Sequence, residues 1–249
     1  MKEQNPAPTL EVLRTFATHA QPIQFRNLRR PPVPSTAPAT RELIDWGIKF
    51  YCYPWLRHMT TLANGTVILL DAGNSPSARI VGRSIYELGA HAYYVAKHVK
   101  QHLGTKNLDA VWKFLLPVHS GSRFLNDIAP PEESEVFPAP VHIKKVTNCF
   151  KEFLPKEAGE SYSFFSEYCH PTMLVFKQYY RWANPCEVTF VDRDSGRWTY
   201  AAEAACMMGM LQIQKLLKLS NEKPVSAALV KILRAVAKTA RETAPKTKA

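Results

Sequence analysis

The sequence predicts an all-α helical bundle carrying one small β-hairpin near residues 186–200. Three observations lead there. Apolar residues recur every three or four positions through most of the chain, and helix start and stop residues stand between those periodic stretches. Only CEVTFVDRDSGRWTY (186–200) alternates at every second position.

Taken in order, residues 1–39 are proline-rich, RRPPVPSTAP included, and read as a flexible N-terminal arm. Within that arm Leu10, Leu13, Phe16 and Ala17 make a stripe suited to a short docking helix over Thr9 to Ala20. The bundle domain starts at residue 40, where Thr40 is placed to cap a long helix reaching Ala72, with Pro54 and Gly65 as sites for a kink. Asn74, Ser75 and Pro76 form a helix start, because proline in the first turn gives up no needed hydrogen bond. The helix over 76–103 then carries Ile80, Val81, Ile85, Leu88, Ala92, Val95, Val99 and Leu103 at helical spacing and stops at Gly104. A shorter helix follows over Asn107 to Leu116. APPEESEVFPAP (129–140) is acidic, proline-rich and read as an exposed loop.

A helix near 142–154 comes next, and then an aromatic helical stretch from Ser161 to Trp182, interrupted by Pro171. In the hairpin, Val188 and Phe190 supply one alternating arm, DRDSG the turn, and Trp198 and Tyr200 the return arm. A buried helix rich in Ala and Met spans about 199–219. The bundle ends at 220, and residues 221–249 form a basic amphipathic helix and tail. Val225, Leu229, Ile232 and Val236 lie on one side of that helix, and Lys231, Arg234, Lys238 and Arg241 on another.

Composition narrows the function classes. The 249 residues are 46% hydrophobic and 21% charged, which is ordinary for a globular chain. Net charge is +11, held entirely by the ends: +4 over residues 1–41, +7 over 215–249, and zero between. The body therefore shows no basic excess that would mark a nucleic-acid groove, while the basic ends suit an anionic partner or simply keep a neutral core soluble. Cys52, Cys149, Cys169, Cys186 and Cys206 are widely spaced with no Cys-x-x-Cys pair, which excludes a zinc ribbon on spacing and fits a reducing compartment. No stretch is apolar enough for a transmembrane segment, and the start of the chain lacks the apolar run of a signal peptide, so the expectation is a cytoplasmic protein. Phosphate-binding glycine loops, the G-x-S-x-G elbow and the H-E-x-x-H helix are absent, so no cofactor is expected.

Two polar lines stand out on apolar helices. Arg83, Glu87 and His91 recur every four residues, and Ser166 and His170 are four apart with Glu167 beside them. His170 precedes Pro171, which pushes it out of the helical region and puts an imidazole at a helix break. A histidine there can serve as general acid or base, a facing Glu87 would fix its tautomer, and Arg83 could hold a phosphate. That equipment suffices for cleaving RNA, whose 2′-hydroxyl is an internal nucleophile. The structural reading competes with it: Arg83–Glu87 as an intrahelical ion pair, with Ser166 and His170 satisfying hydrogen bonds across a core. A metal site would need Glu87, His91, Glu167 and His170 to converge. His98 and His102 are read as a helix C-terminal pair.

The stretch ARIVGRSIYELGAHAYYV, after a helix ending ILLDAG and before YSFFSEYCHPT, resembles a large bacterial helical family of unknown function over residues 40–182. That family is loosely similar to HEPN-type bundles and abortive-infection proteins, some of which are ribonucleases. The resemblance implies Arg83, Glu87, Ser166 and His170 as site residues. It also implies RNA or another phosphorylated ligand as partner, in stress or phage defence. In such ribonucleases Arg and His stand four to six residues apart on one helix, closer than Arg83 and His91 here. The alternative is a non-catalytic interaction module whose polar residues are a core network.

Overall fold

A computed structural model describes residues 10–29, 31, 38–120, 141–151, 180–184, 187–190 and 197–243. Among these residues there are seven helices: α1 (Glu11–Ala20), α2 (Arg41–Asp71), α3 (Ser75–Gly104), α4 (Leu108–Ser120), α5 (Ile143–Lys151), α6 (Arg197–Leu219) and α7 (Lys223–Thr243). The all-α class holds. No helix among the described residues is long and apolar enough to cross a membrane.

Helix ends follow the local chemistry of the sequence. The Thr40 hydroxyl accepts the Leu43 N–H at 3.2 Å and starts α2, which then runs unbroken through Pro54 to Asp71. At its far end Gly73 adopts φ 73°, and the Asn74 N–H reaches back to the Leu69 carbonyl at 2.8 Å. Asn74 also caps the next helix, since its side chain accepts the Ser77 N–H at 3.2 Å. One residue thus closes α2 and opens α3, which fixes the two as an antiparallel hairpin. The α6–α7 turn repeats this with Asn221 at φ 54° and the Glu222 N–H bonded to the Leu217 carbonyl at 2.9 Å.

Packing places α2, α3 and α6 at the centre. On one edge α1 and α7 pack together and reach α2 and α6, and on the other α4 and α5 lie against α3. The α3–α6 crossing is close because small residues meet there. A Cβ at Gly89 would stand 2.3 Å from the Ala205 carbonyl oxygen, and one at Gly209 would stand 2.6 Å from the Trp55 ring. The indole of Trp55 fills that corner and donates to the Leu88 carbonyl at 2.9 Å.

The docking helix expected inside the N-terminal arm is α1, and it does more than dock. Leu10, Val12, Leu13, Phe16, Ala17 and Ala20 are buried in the same core as α2, α3 and α6. The boundary expected at residue 40 therefore does not separate arm from core at this helix. Its start has no side-chain cap of its own, Leu10 being in the left-handed region with φ 46°. The missing acceptor comes from α6: Glu203 Oε1 accepts the Val12 N–H at 2.9 Å. Burial pushes the Glu203 carboxyl up to about 7, against the pull of the Val12 and Leu13 N–H groups.

Two expectations are corrected near residue 190. The return arm expected at Trp198 and Tyr200 is instead the first turn of α6, and DRDSG lies outside the described residues. Residues 180–182, expected to end a helical stretch, belong instead to a strand (β1, Tyr180–Asn184) paired antiparallel with β2 (Glu187–Phe190). The acidic loop at 129–140 and most of the aromatic stretch at 161–182 lie outside the described residues.

Candidate functional site

The polar line on α3 is real and starts one turn earlier than the sequence suggested. Arg79 is almost wholly buried, at 1% exposure, and precedes Arg83, Glu87 and His91 at four-residue steps. Arg83 Nε donates to Glu87 Oε1 at 2.8 Å, with about a quarter of each side chain exposed (23% and 28%). Arginine before glutamate is the less favourable order for an i,i+4 pair, so helix stability is a weak reason for the arrangement. What the pair does achieve is to hold a guanidinium beside a carboxylate in a site only partly open to water.

One turn further, His91 Nδ1 lies 2.9 Å from the Tyr51 hydroxyl of α2. Burial pulls the imidazole down to about 4 and pushes the phenol well above its ordinary range. Both groups are therefore neutral at pH 7. In the tautomer in which Tyr51 donates to Nδ1, Nε2 carries the ring proton and is a neutral donor; in the other, Nδ1 donates to the phenol oxygen and Nε2 accepts. A histidine held in this state can orient a polar ligand atom. It is a poor proton acceptor near neutrality and carries no charge with which to grip a phosphate.

Glu87 and His91 share a cavity of about 680 Å³ between α2 and α3, with Val118 of α4 and Ile143 of α5 also in its lining. Phe50, Tyr51, Pro54, Trp55 and His58 form its α2 wall, and Ser84, Glu87, Leu88 and His91 its α3 wall. The composition is that of a small-molecule site: aromatic and aliphatic walls with a few fixed polar groups. Trp55 spends its N–H on Leu88, so its ring is left as an apolar wall.

Of the four residues singled out in the sequence, Arg83 and Glu87 are brought together, and Glu87 faces the cavity. Ser166 and His170 lie outside the described residues, as does Glu167 of the metal reading. Among the described residues no cluster of three or more His, Cys, Asp or Glu side chains could hold a metal. His98 and His102 lie 6.3 Å apart, centroid to centroid. His98 sits among the Tyr94 and Phe114 rings, where burial and the positive charges around it lower its pKa. Cys52, Cys149 and Cys206 are free thiols.

Sequence reasoning missed Tyr51, Trp55 and His58. Their spacing of four and three residues marks one face of α2, a signal that was present and is indistinguishable from a core stripe until α3 is seen opposite. No family model, curated protein or solved structure matches this chain.

Proposed function

We propose that the protein binds a phosphorylated ligand of nucleotide size in the α2–α3 cavity, with RNA as its polymeric form. The observation that carries this reading is one cavity in which aromatic walls stand beside Glu87 and His91, with the Arg83 guanidinium next to Glu87. The planar part of such a ligand stacks along Phe50 and Trp55. Its polar edge meets His91 and Glu87, and its phosphate exchanges with Glu87 for Arg83. His170 and Ser166 complete the site in this proposal, His170 as the general acid or base of RNA cleavage. The resemblance to HEPN-type and abortive-infection proteins favours a cytoplasmic role in bacterial stress or phage defence.

The test is calorimetric titration of a nucleoside monophosphate into wild type, Arg83→Gln and Glu87→Gln, followed by RNA incubation with wild type and His170→Ala. Arg83→Gln is expected to weaken binding by about tenfold or more, the worth of a charge-assisted hydrogen bond, while folding normally. Equal affinity in wild type and Arg83→Gln would overturn the site. One observation favours the non-catalytic module instead: Arg83 and Glu87 pair with each other along one helix. RNA left intact by wild type while the mononucleotide still binds would select that reading.

A further inference from the structure

The apolar side of α7 is fully used by the fold, and its cationic side is not. Val225, Leu229, Ile232 and Val236 are buried against α1 and α6, each no more than 5% exposed. On the opposite side Lys231, Arg234 and Lys238 are exposed, and Arg241 continues the same line into the last turn. Steps of three, four and three residues keep these four on one face over about 15 Å of helix. Among the described residues the one ion pair on this face joins Lys238 to Glu242 at 3.8 Å, between two largely exposed side chains. The exposed positions of α1 beside α7, Thr18 and His19, carry no carboxylate. Four like charges at i,i+3 and i,i+4 repel one another. Nothing among the described residues offsets that cost beyond the single weak pair.

We infer that the outer face of α7 is a docking surface for the phosphodiester backbone of a nucleic acid. A partner with negative charge repeated along its length matches a row of cations, and it gains by releasing counterions as each phosphate is neutralised. Between the cations the exposed face carries no aromatic or large aliphatic side chain, so the surface reads charge and not sequence. The same fact argues against a membrane. A helix lying in a bilayer interface buries an apolar face there, and the apolar face of α7 is already committed to the core. Lys231 also lines a groove of about 590 Å³ between α7 and the segment after α1, with His19 and Ile23 on its other wall. This surface does not rest on the α2–α3 cavity, since α7 contacts neither α3 nor α4.

The full chain and a variant carrying Lys231→Gln, Arg234→Gln, Lys238→Gln and Arg241→Gln are titrated into a labelled 20-nucleotide single-stranded RNA across a salt series. Glutamine keeps helix propensity and removes the repulsion, so the variant is expected to melt no lower than wild type. Four phosphate contacts predict a slope of log K against log salt near −3 for wild type. In the variant that slope should fall by about that amount, with affinity at least about tenfold weaker at low salt. Lys231→Arg with Lys238→Arg is expected to retain binding. A duplex DNA of the same length separates the two sources of phosphodiester, a steeper slope marking the duplex. Binding unchanged in the glutamine variant, or absent in wild type, would overturn the inference. So would binding to vesicles of anionic lipid with none to either nucleic acid, which would reassign the face to membranes. Loss of mononucleotide binding at the cavity leaves this result standing, so the two readings fail separately.

Discussion

His91 shows how a single side chain can be set by its surroundings. Its ring is held neutral because burial disfavours the imidazolium, and its hydrogen bond to Tyr51 spans two helices. A folded-state value of about 4 lies below the ordinary 6.5, so the unfolded chain takes up a proton first as the solution is acidified. The stability this contributes is complete above about pH 6.5 and is lost as the pH falls through about 4. Wild type is therefore expected to lose about 3 kcal/mol between pH 7 and pH 4 that His91→Gln does not lose. Glu203 acts in the opposite sense. Its carboxyl is raised to about 7, so its contribution is present below about 4.5 and lost as the pH rises through 7. The His91 term is read from the difference between wild-type and variant urea curves at each pH, and parallel curves would contradict it. Arg83, Glu87 and His91 were visible in the sequence as a four-residue repeat. Tyr51 was not, because a tyrosine inside an apolar stripe carries no mark of its function until a partner from another helix faces it.

At the scale of elements, α2, α3, α6 and α7 follow their apolar periodicity and capping residues to within a residue or two. The misreading at 186–200 has a definite physical cause. Trp198 and Tyr200 are two apart, which in a strand puts them on one face and in a helix turns them about 200° from each other. Trp198 is wholly buried and Tyr200 is 55% exposed, as the helical geometry requires. Aromatic and β-branched neighbours imitate a strand when the run before a helix is too short to show its period. Spacing also could not show where helices cross. Gly89 and Gly65 look alike in the sequence, yet a Cβ at Gly89 would strike the Ala205 backbone while one at Gly65 meets nothing within 4 Å. Gly89→Ala is expected to destabilise by about 2–3 kcal/mol, since a backbone carbonyl cannot step aside as a side chain can. Gly65→Ala is expected to stabilise by up to about 1 kcal/mol through helix propensity. Chemical denaturation of the two variants side by side decides this, and equal effects would mean that the α3–α6 crossing is looser than described.

Across the whole molecule, the charge pattern and the core obey different boundaries. Charge divides the chain into basic ends and a neutral middle, and this was read directly from the sequence. The core ignores that division: α1 and α7, from the two basic ends, pack on each other and on the neutral helices. Proline-rich flanks made α1 look like an appendage, because local composition says nothing about what a short apolar stripe will meet in space. Phe16 is wholly buried, so Phe16→Ala is expected to cost about 3–5 kcal/mol, as a deletion in the centre of a core does. A cost under about 1 kcal/mol in urea unfolding would show α1 to be a loosely attached segment. For the same reason, cutting away α7 would strip cover from the α1–α6 core, and only charge substitutions test its outer face cleanly.

The cap that α6 supplies to α1 has a consequence for how the chain comes to be folded. Val12 waits for Glu203, and Thr15 hydrogen-bonds Thr239 at a separation of 224 residues. During synthesis α1 can pack on α2 once that helix follows, but its terminal acceptor on α6 and its neighbour α7 come only much later. At about 5–20 residues per second that is a wait of roughly ten seconds or more for the α6 and α7 contacts. The hairpin of α2 and α3 needs nothing downstream to form its turn. The contacts of α1 with α6 and α7 thus become available only after those of the α2–α3 hairpin.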